Sequence, residues 1–141
     1  MNLWFAATDT GYHNYHIPIS IGEDKYEISI EGDVGLLRRG YYINGVRKAT
    51  TISNSPSLND AKFHMLTTTF NGIDIKSYVD GILIHTENAP GSLAGGVNQL
   101  CLGHFGTNNL YGINSGHLSD IRLYSRALRD KEIEELYKIS G

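Results

Sequence analysis

Three dipeptides, Asn44-Gly45, Asn71-Gly72 and Asp80-Gly81, each stand between two strand-like runs. A type I′ turn needs two consecutive residues at positive φ, and Asn-Gly or Asp-Gly supplies them at little steric cost. A chain punctuated in this way folds through antiparallel hairpins. The flanking runs alternate with a period of two. Ile17, Ile19 and Ile21 share one side of a strand, with His16, Pro18 and Ser20 on the other. Tyr26, Ile28 and Ile30 alternate with Glu27, Ser29 and Glu31, the pattern of a half-buried strand with a charged, solvated outer face. Segments 63–70, 74–79 and 82–86 read as a three-strand meander, and 100–102 and 118–124 as two further strands. The polar stretches 8–15, 53–61, 87–97 and 104–116 read as loops. One helix is expected at about 130–138, where Ile133, Leu136 and Tyr137 make a single apolar stripe. Its early acids Glu132, Glu134 and Glu135 and the later Lys138 suit the helix dipole.

About nine short strands and one terminal helix predict an all-β domain, a two-sheet antiparallel β-sandwich of the jelly-roll type. Sixteen Gly and nine Tyr against three Pro in 141 residues agree with it. The length suits one domain. Twelve Lys+Arg against fifteen Asp+Glu leave a formal charge of -3, so no basic excess is available for a nucleic-acid backbone. No run approaches the ~20 apolar residues of a membrane-spanning helix. Cys101 is the single cysteine, which excludes an internal disulfide and a cysteine-based zinc site. The opening residues carry no basic region and too short an apolar run for a signal peptide. The expected setting is therefore a virion or an extracellular surface reached by another route.

Three segments together resemble the laminin-G-like, concanavalin A-like jelly roll in its bacterial and phage form. Phe63-His64-Met65-Leu66-Thr67-Thr68-Thr69-Phe70-Asn71-Gly72 is similar to the family strand that opens Trp-His-His and closes Tyr-Asp-Gly. Ile75-Lys76-Ser77-Tyr78-Val79-Asp80-Gly81 is similar to its Leu-Tyr-Val-Asp-Gly hairpin. Gly116 to Leu128 resembles its Gly-x-Ile-Asp-Asp-Val-Arg-Ile-Tyr-Asn-Arg-Ala-Leu ending, and Glu132-Ile133 its closing helix. Phe63 replaces the family's Trp, Ser119 the first of two acids, and Arg129 a Ser that caps the helix. Asp130 is the expected substitute cap. Trp4 matches an early family strand that about thirty residues normally precede, so 1–141 reads as one such domain without its usual first strands. That leaves a sheet edge for a homo-oligomer or a partner protein to complete.

The resemblance also implies a structural calcium near Asp120, although a hard cation needs six or more oxygens. His13 and His16 lie in Gly11-Tyr12-His13-Asn14-Tyr15-His16 without further ligands at metal spacing, and read as part of a solvated aromatic loop. The acids Glu27 and Glu31 alternate as an ordinary solvent face does, and no paired-acid set for glycoside hydrolysis emerges. Cys101, between Leu100 and Leu102, reads as a buried thiol. The segment 104–115 carries aromatic rings for the C–H faces of sugars and amides for their hydroxyls. His104, Phe105, Asn108, Asn109 and Tyr111 are the candidate ligand contacts. The resulting expectation is a non-catalytic recognition or adhesion module for a glycan or cell-surface polysaccharide. The alternatives are a structural decoration or oligomerisation domain of a virion, and an accessory module of a secreted glycosidase.

Overall fold

A computed structural model of the chain describes residues 1–7, 16–21, 26–32, 34–93, 99–105, 108–112 and 116–140, with the backbone alone for 104–105 and 108–112. The strands are β1 Asn2–Ala7, β2 His16–Ile21, β3 Tyr26–Glu31, β4 Leu36–Ile43, β5 Val46–Thr51, β6 His64–Phe70, β7 Asp74–Val79, β8 Ile82–Asn88, β9 Leu100–Leu102, β10 His104–Phe105, β11 Asn108–Gly112 and β12 Gly116–Arg122; helix α1 is Asp130–Ser140. Ten of these strands form two five-stranded antiparallel sheets, and β10 and β11 pair in a separate two-stranded one. The first has the order β12-β1-β6-β7-β8 and the second β5-β4-β3-β2-β9. The expected sandwich with a short C-terminal helix is the observed fold.

Alternation decides what fills the space between the sheets. Leu3 and Phe5 of β1, Ile28 and Ile30 of β3, Leu37 of β4, Leu66 of β6 and Val79 of β7 point inward and are buried in one cluster. Each such side chain contributes about 1.5–3 kcal/mol by leaving water. A second cluster, with Tyr41, Ile43, Ile75 and Ala89, lies toward one end. The third lies on the outer face of the first sheet, where Ile133 and Leu136 of α1 pack on Met65 and Tyr78. Trp4 stacks on Tyr137 there, with ring centroids 5.7 Å apart.

Two of the three turns have the expected backbone. Asn44 (φ 51°) with Gly45 (φ 77°), and Asp80 (φ 52°) with Gly81 (φ 80°), carry paired positive φ angles. At Asn71-Gly72 only the glycine is left-handed. The Asn71 side chain instead accepts the N–H groups of Ile73 and Asp74, at 2.9 and 2.7 Å, which closes a longer Asx-type turn. The segment 104–116, expected as loop, holds the hairpin β10–β11 and the first residue of β12. Strand β8 also runs to Asn88, past the expected boundary.

The helix cap differs as well. Arg129 is the capping residue: its carbonyl accepts the Ile133 N–H at 3.1 Å, and its own N–H is held by the Glu132 carboxylate at 2.8 Å. That is the acidic half of a capping box, which needs no side-chain acceptor at the cap itself. Asp130 turns away and accepts from Lys76 Nζ and Tyr78 Oη, both at 2.9 Å.

Candidate functional site

The outer face of the second sheet is where the fold brings polar groups together. Across its strands the register aligns Cys101, Ser20, Glu27, Gly40 and Ala49 in one row. Glu27 is the one large side chain in that row. It lies flat because Gly40 leaves room: a Cβ there would stand 3.0 Å from Glu27 Cγ. In this position the carboxylate accepts Arg38 Nη1 at 2.5 Å and Arg47 Nη2 at 3.2 Å, with Ser29 Oγ at 3.3 Å.

The face was expected to be solvated, but Glu27 and Ser29 are buried. A carboxylate without water needs fixed partners, and the two guanidiniums supply them. Glu31, four residues on, accepts Thr51 Oγ1 at 2.7 Å. Four residues of strand separate these two acids by roughly 13 Å. Carboxyl pairs in glycosidases stand ~5–9.5 Å apart.

Beside this face lies the hairpin β10–β11. Its backbone packs against β2 and continues from β9, with His104 opposite Gly112 and Phe105 opposite Asn108. The fold therefore places the backbone of His104, Phe105, Asn108, Asn109 and Tyr111 on one hairpin at the rim of the second sheet. Their side chains, and His13, lie outside the described residues. His16, expected in a solvated loop, is instead buried in β2 with its ring 6.0 Å from that of Phe5, because a register shift in β2 turns it to the core side. Cys101 is buried in β9, as expected.

Asp120 sits in β12 at a left-handed φ of 46°. Both its carboxylate oxygens accept from Arg122, Nε at 2.8 Å and Nη2 at 2.9 Å. Calcium would have to displace that guanidinium, and among the described residues no group of three or more His, Cys, Asp or Glu stands close enough to hold a metal ion. The donor set at Asp120, as arranged, does not fit the ion.

A cavity of about 310 Å³ opens between the sheets at the end of the second core cluster, with Tyr26, Tyr41, Phe70 and Leu93 among its walls. Tyr41 meets Tyr26 edge-on at 5.4 Å and donates to Thr68 Oγ1 at 2.6 Å, and burial pushes its hydroxyl pKa far up.

The family model for concanavalin A-like lectin/glucanases, of the laminin-G type, matches residues 1–134. The chain belongs to this superfamily. No curated protein matches it in sequence. Among solved structures, the binding domain of Paraclostridial Mosquitocidal Protein 1 is similar over 99% of this chain and 36% of its own, at 15% identity and a TM-score of 0.74. The receptor-binding domain of botulinum neurotoxin mosaic serotype C/D, with tetraethylene glycol bound on its Hcn sub-domain, is similar over 97% and 35%, at 20% identity and a TM-score of 0.72. The heptameric SAP-like pentraxin of Limulus polyphemus is similar over 99% and 69%, at 16% identity and a TM-score of 0.72. The chain thus spans about a third of the toxin domains. These likenesses establish the lectin-like fold.

Proposed function

We propose that the domain is a non-catalytic recognition module that binds a carbohydrate on a cell surface, within a virion or extracellular assembly. The observation that carries this reading is the hairpin β10–β11. It sets His104, Phe105, Asn108, Asn109 and Tyr111 on one rim of the sheet, and their residue types match both the apolar faces and the hydroxyls of a sugar. The acids support the non-catalytic part: Glu27 is bound by two arginines, and Glu31 is too distant along the strand to act with it. The likeness to one binding domain and one receptor-binding domain agrees with a binding role.

A neighbouring polypeptide is proposed to cover the side where β9 and β12 end the sheets. Leu100 and Leu102 pair with Ile21 and Ile19 on the core side yet remain 46% exposed. The test of function is a glycan array with the purified chain, repeated with Phe105→Ala and Tyr111→Ala. Specific binding lost in both variants supports the reading. Release of reducing ends from a polysaccharide, abolished by Glu27→Gln, overturns its non-catalytic part.

A further inference from the structure

The ring of His64 stands between two carboxylates. Its Nδ1 is 2.8 Å from Asp80 Oδ2, and its Nε2 is 3.1 Å from Asp60 Oδ1. An ionised carboxylate only accepts hydrogen bonds, so both contacts are satisfied together only when both ring nitrogens carry hydrogen. The two partners are not equivalent. Asp80 belongs to the β7–β8 turn, and its other oxygen accepts the Met65 N–H at 2.9 Å, which fixes it to the sheet. Asp60 belongs to an arc outside the sheet. It accepts the Lys62 N–H at 3.0 Å and has Lys62 Nζ at 3.5 Å.

The arc is also under backbone strain. Ala61 has a φ of 61°, a left-handed conformation that is strained for a residue with a Cβ. Beyond it, Phe63 is 48% exposed, and its ring meets that of His117 on β12 with centroids 6.4 Å apart. A strained arc bearing an exposed aromatic ring is thus tied to the sheet through the Nε2 proton of one histidine.

We propose that Asp60, His64 and Asp80 form a proton-operated latch: the imidazolium pins the 60–63 arc to the sheet, and loss of its Nε2 proton releases the arc together with Phe63. After that loss Nδ1 still donates to Asp80, whereas a lone pair on Nε2 faces the Asp60 carboxylate and repels it. Among the described residues, Lys62 is the remaining charged group beside Asp60, and His117 the remaining titratable group beside Phe63.

Two shifts set the window. The hydrogen bond to Asp80 and, after it, that to Asp60 raise the His64 pKa above its ordinary value of 6.5, against burial. The Lys62 N–H and then His64 lower the pKa of Asp60 below 3.8. A raised histidine contributes stability that is present below its unfolded pKa and lost as pH rises through the folded one. A lowered aspartate contributes stability lost as pH falls through its folded pKa. The latch is therefore closed between these limits and opens as pH rises through the raised His64 pKa.

Amide and ring NMR spectra across pH 5–9 test it. The amides of Ala61, Lys62 and Phe63 are expected to shift with the same midpoint as the His64 ring. In Asp60→Asn, which keeps the exposed position and the fold, the His64 midpoint is expected to fall while the arc no longer follows it. Arc amides that stay still while His64 titrates would overturn the latch, as would an arc that follows His64 equally in Asp60→Asn. His117→Asn separates the remaining source: the arc response is expected to persist, and its loss would assign the transition to His117 instead.

Discussion

Arg39 of β4 crosses the space between the sheets and pairs with Glu87 of β8. Its side chain is fully buried, and Thr50 Oγ1 also reaches the Glu87 carboxylate, at 3.4 Å. Breaking a buried ion pair from one side leaves an uncompensated charge and typically costs about 3–5 kcal/mol. Arg39→Ala also leaves a void. A loss of roughly 3 kcal/mol is expected, with a fall in Tm of about 10 °C. Replacing both partners by Leu should recover much of that, because no charge then remains buried. Thermal unfolding of the single and double variants decides it; a double variant as unstable as Arg39→Ala counts against the desolvation argument.

The same pair gives the acid limb of stability its sign. Burial is the largest single influence on Glu87 and raises its pKa, but the Arg39 hydrogen bond and charge, with Thr50, outweigh it, and the carboxyl titrates below its ordinary 4.5. Its contribution is thus present above the unfolded value and lost as pH falls through the folded one. The stability gap between the native chain and Glu87→Gln should be widest above pH 5 and should narrow toward pH 3. Urea unfolding at several pH values measures it, and a constant gap would assign the acid limb to other groups.

Gly40 carries a more local expectation. A methyl group there meets the Glu27 stem at 3.0 and 3.2 Å, so Gly40→Ala is expected to cost about 1–3 kcal/mol by overpacking. Glu27→Ser should relieve most of the clash, giving a double-mutant coupling of about 1 kcal/mol or more. Additive losses in denaturant unfolding would mean that Glu27 does not lie over β4.

At Asp120 the expectation concerns metal. Both oxygens are held by Arg122, so EDTA should leave the melting curve unchanged and elemental analysis should find less than one calcium per chain. A fall in Tm that added calcium reverses would show that the ion displaces the arginine.

The sheets were legible in the sequence because their strands alternate: Ile19 and Ile21, or Tyr26, Ile28 and Ile30, announce one inward face each, whereas a register shift between His16 and Ile19 takes Ile17 out of the expected row. Arg39 was legible too, in principle. It shares the parity of Leu37, Tyr41 and Ile43, but a guanidinium on an inward face is expected only once a partner such as Glu87, 48 residues away, is in view. The burial of Glu27 was hidden for the same reason, since it depends on Gly40 and Arg47 of neighbouring strands. The Asn71 turn failed because its side chain, rather than a second left-handed residue, closes the loop. The hairpin in 104–116 is hidden in the sequence because its polar and glycine residues carry little alternation. Of the candidate ligand contacts, the sequence supplied the residue types, and the fold supplied their common place on β10–β11.

The most direct test of the recognition role is a glycan-binding titration of the intact chain with the best array hit, run beside Phe105→Ala, Tyr111→Ala and, as a control far from the hairpin, Ile139→Ala. Binding to the native chain and to Ile139→Ala, with a loss of about tenfold or more in each hairpin variant at unchanged Tm, is the expected result. No binding to any glycan of the array, or full binding retained by both hairpin variants, would contradict the assignment.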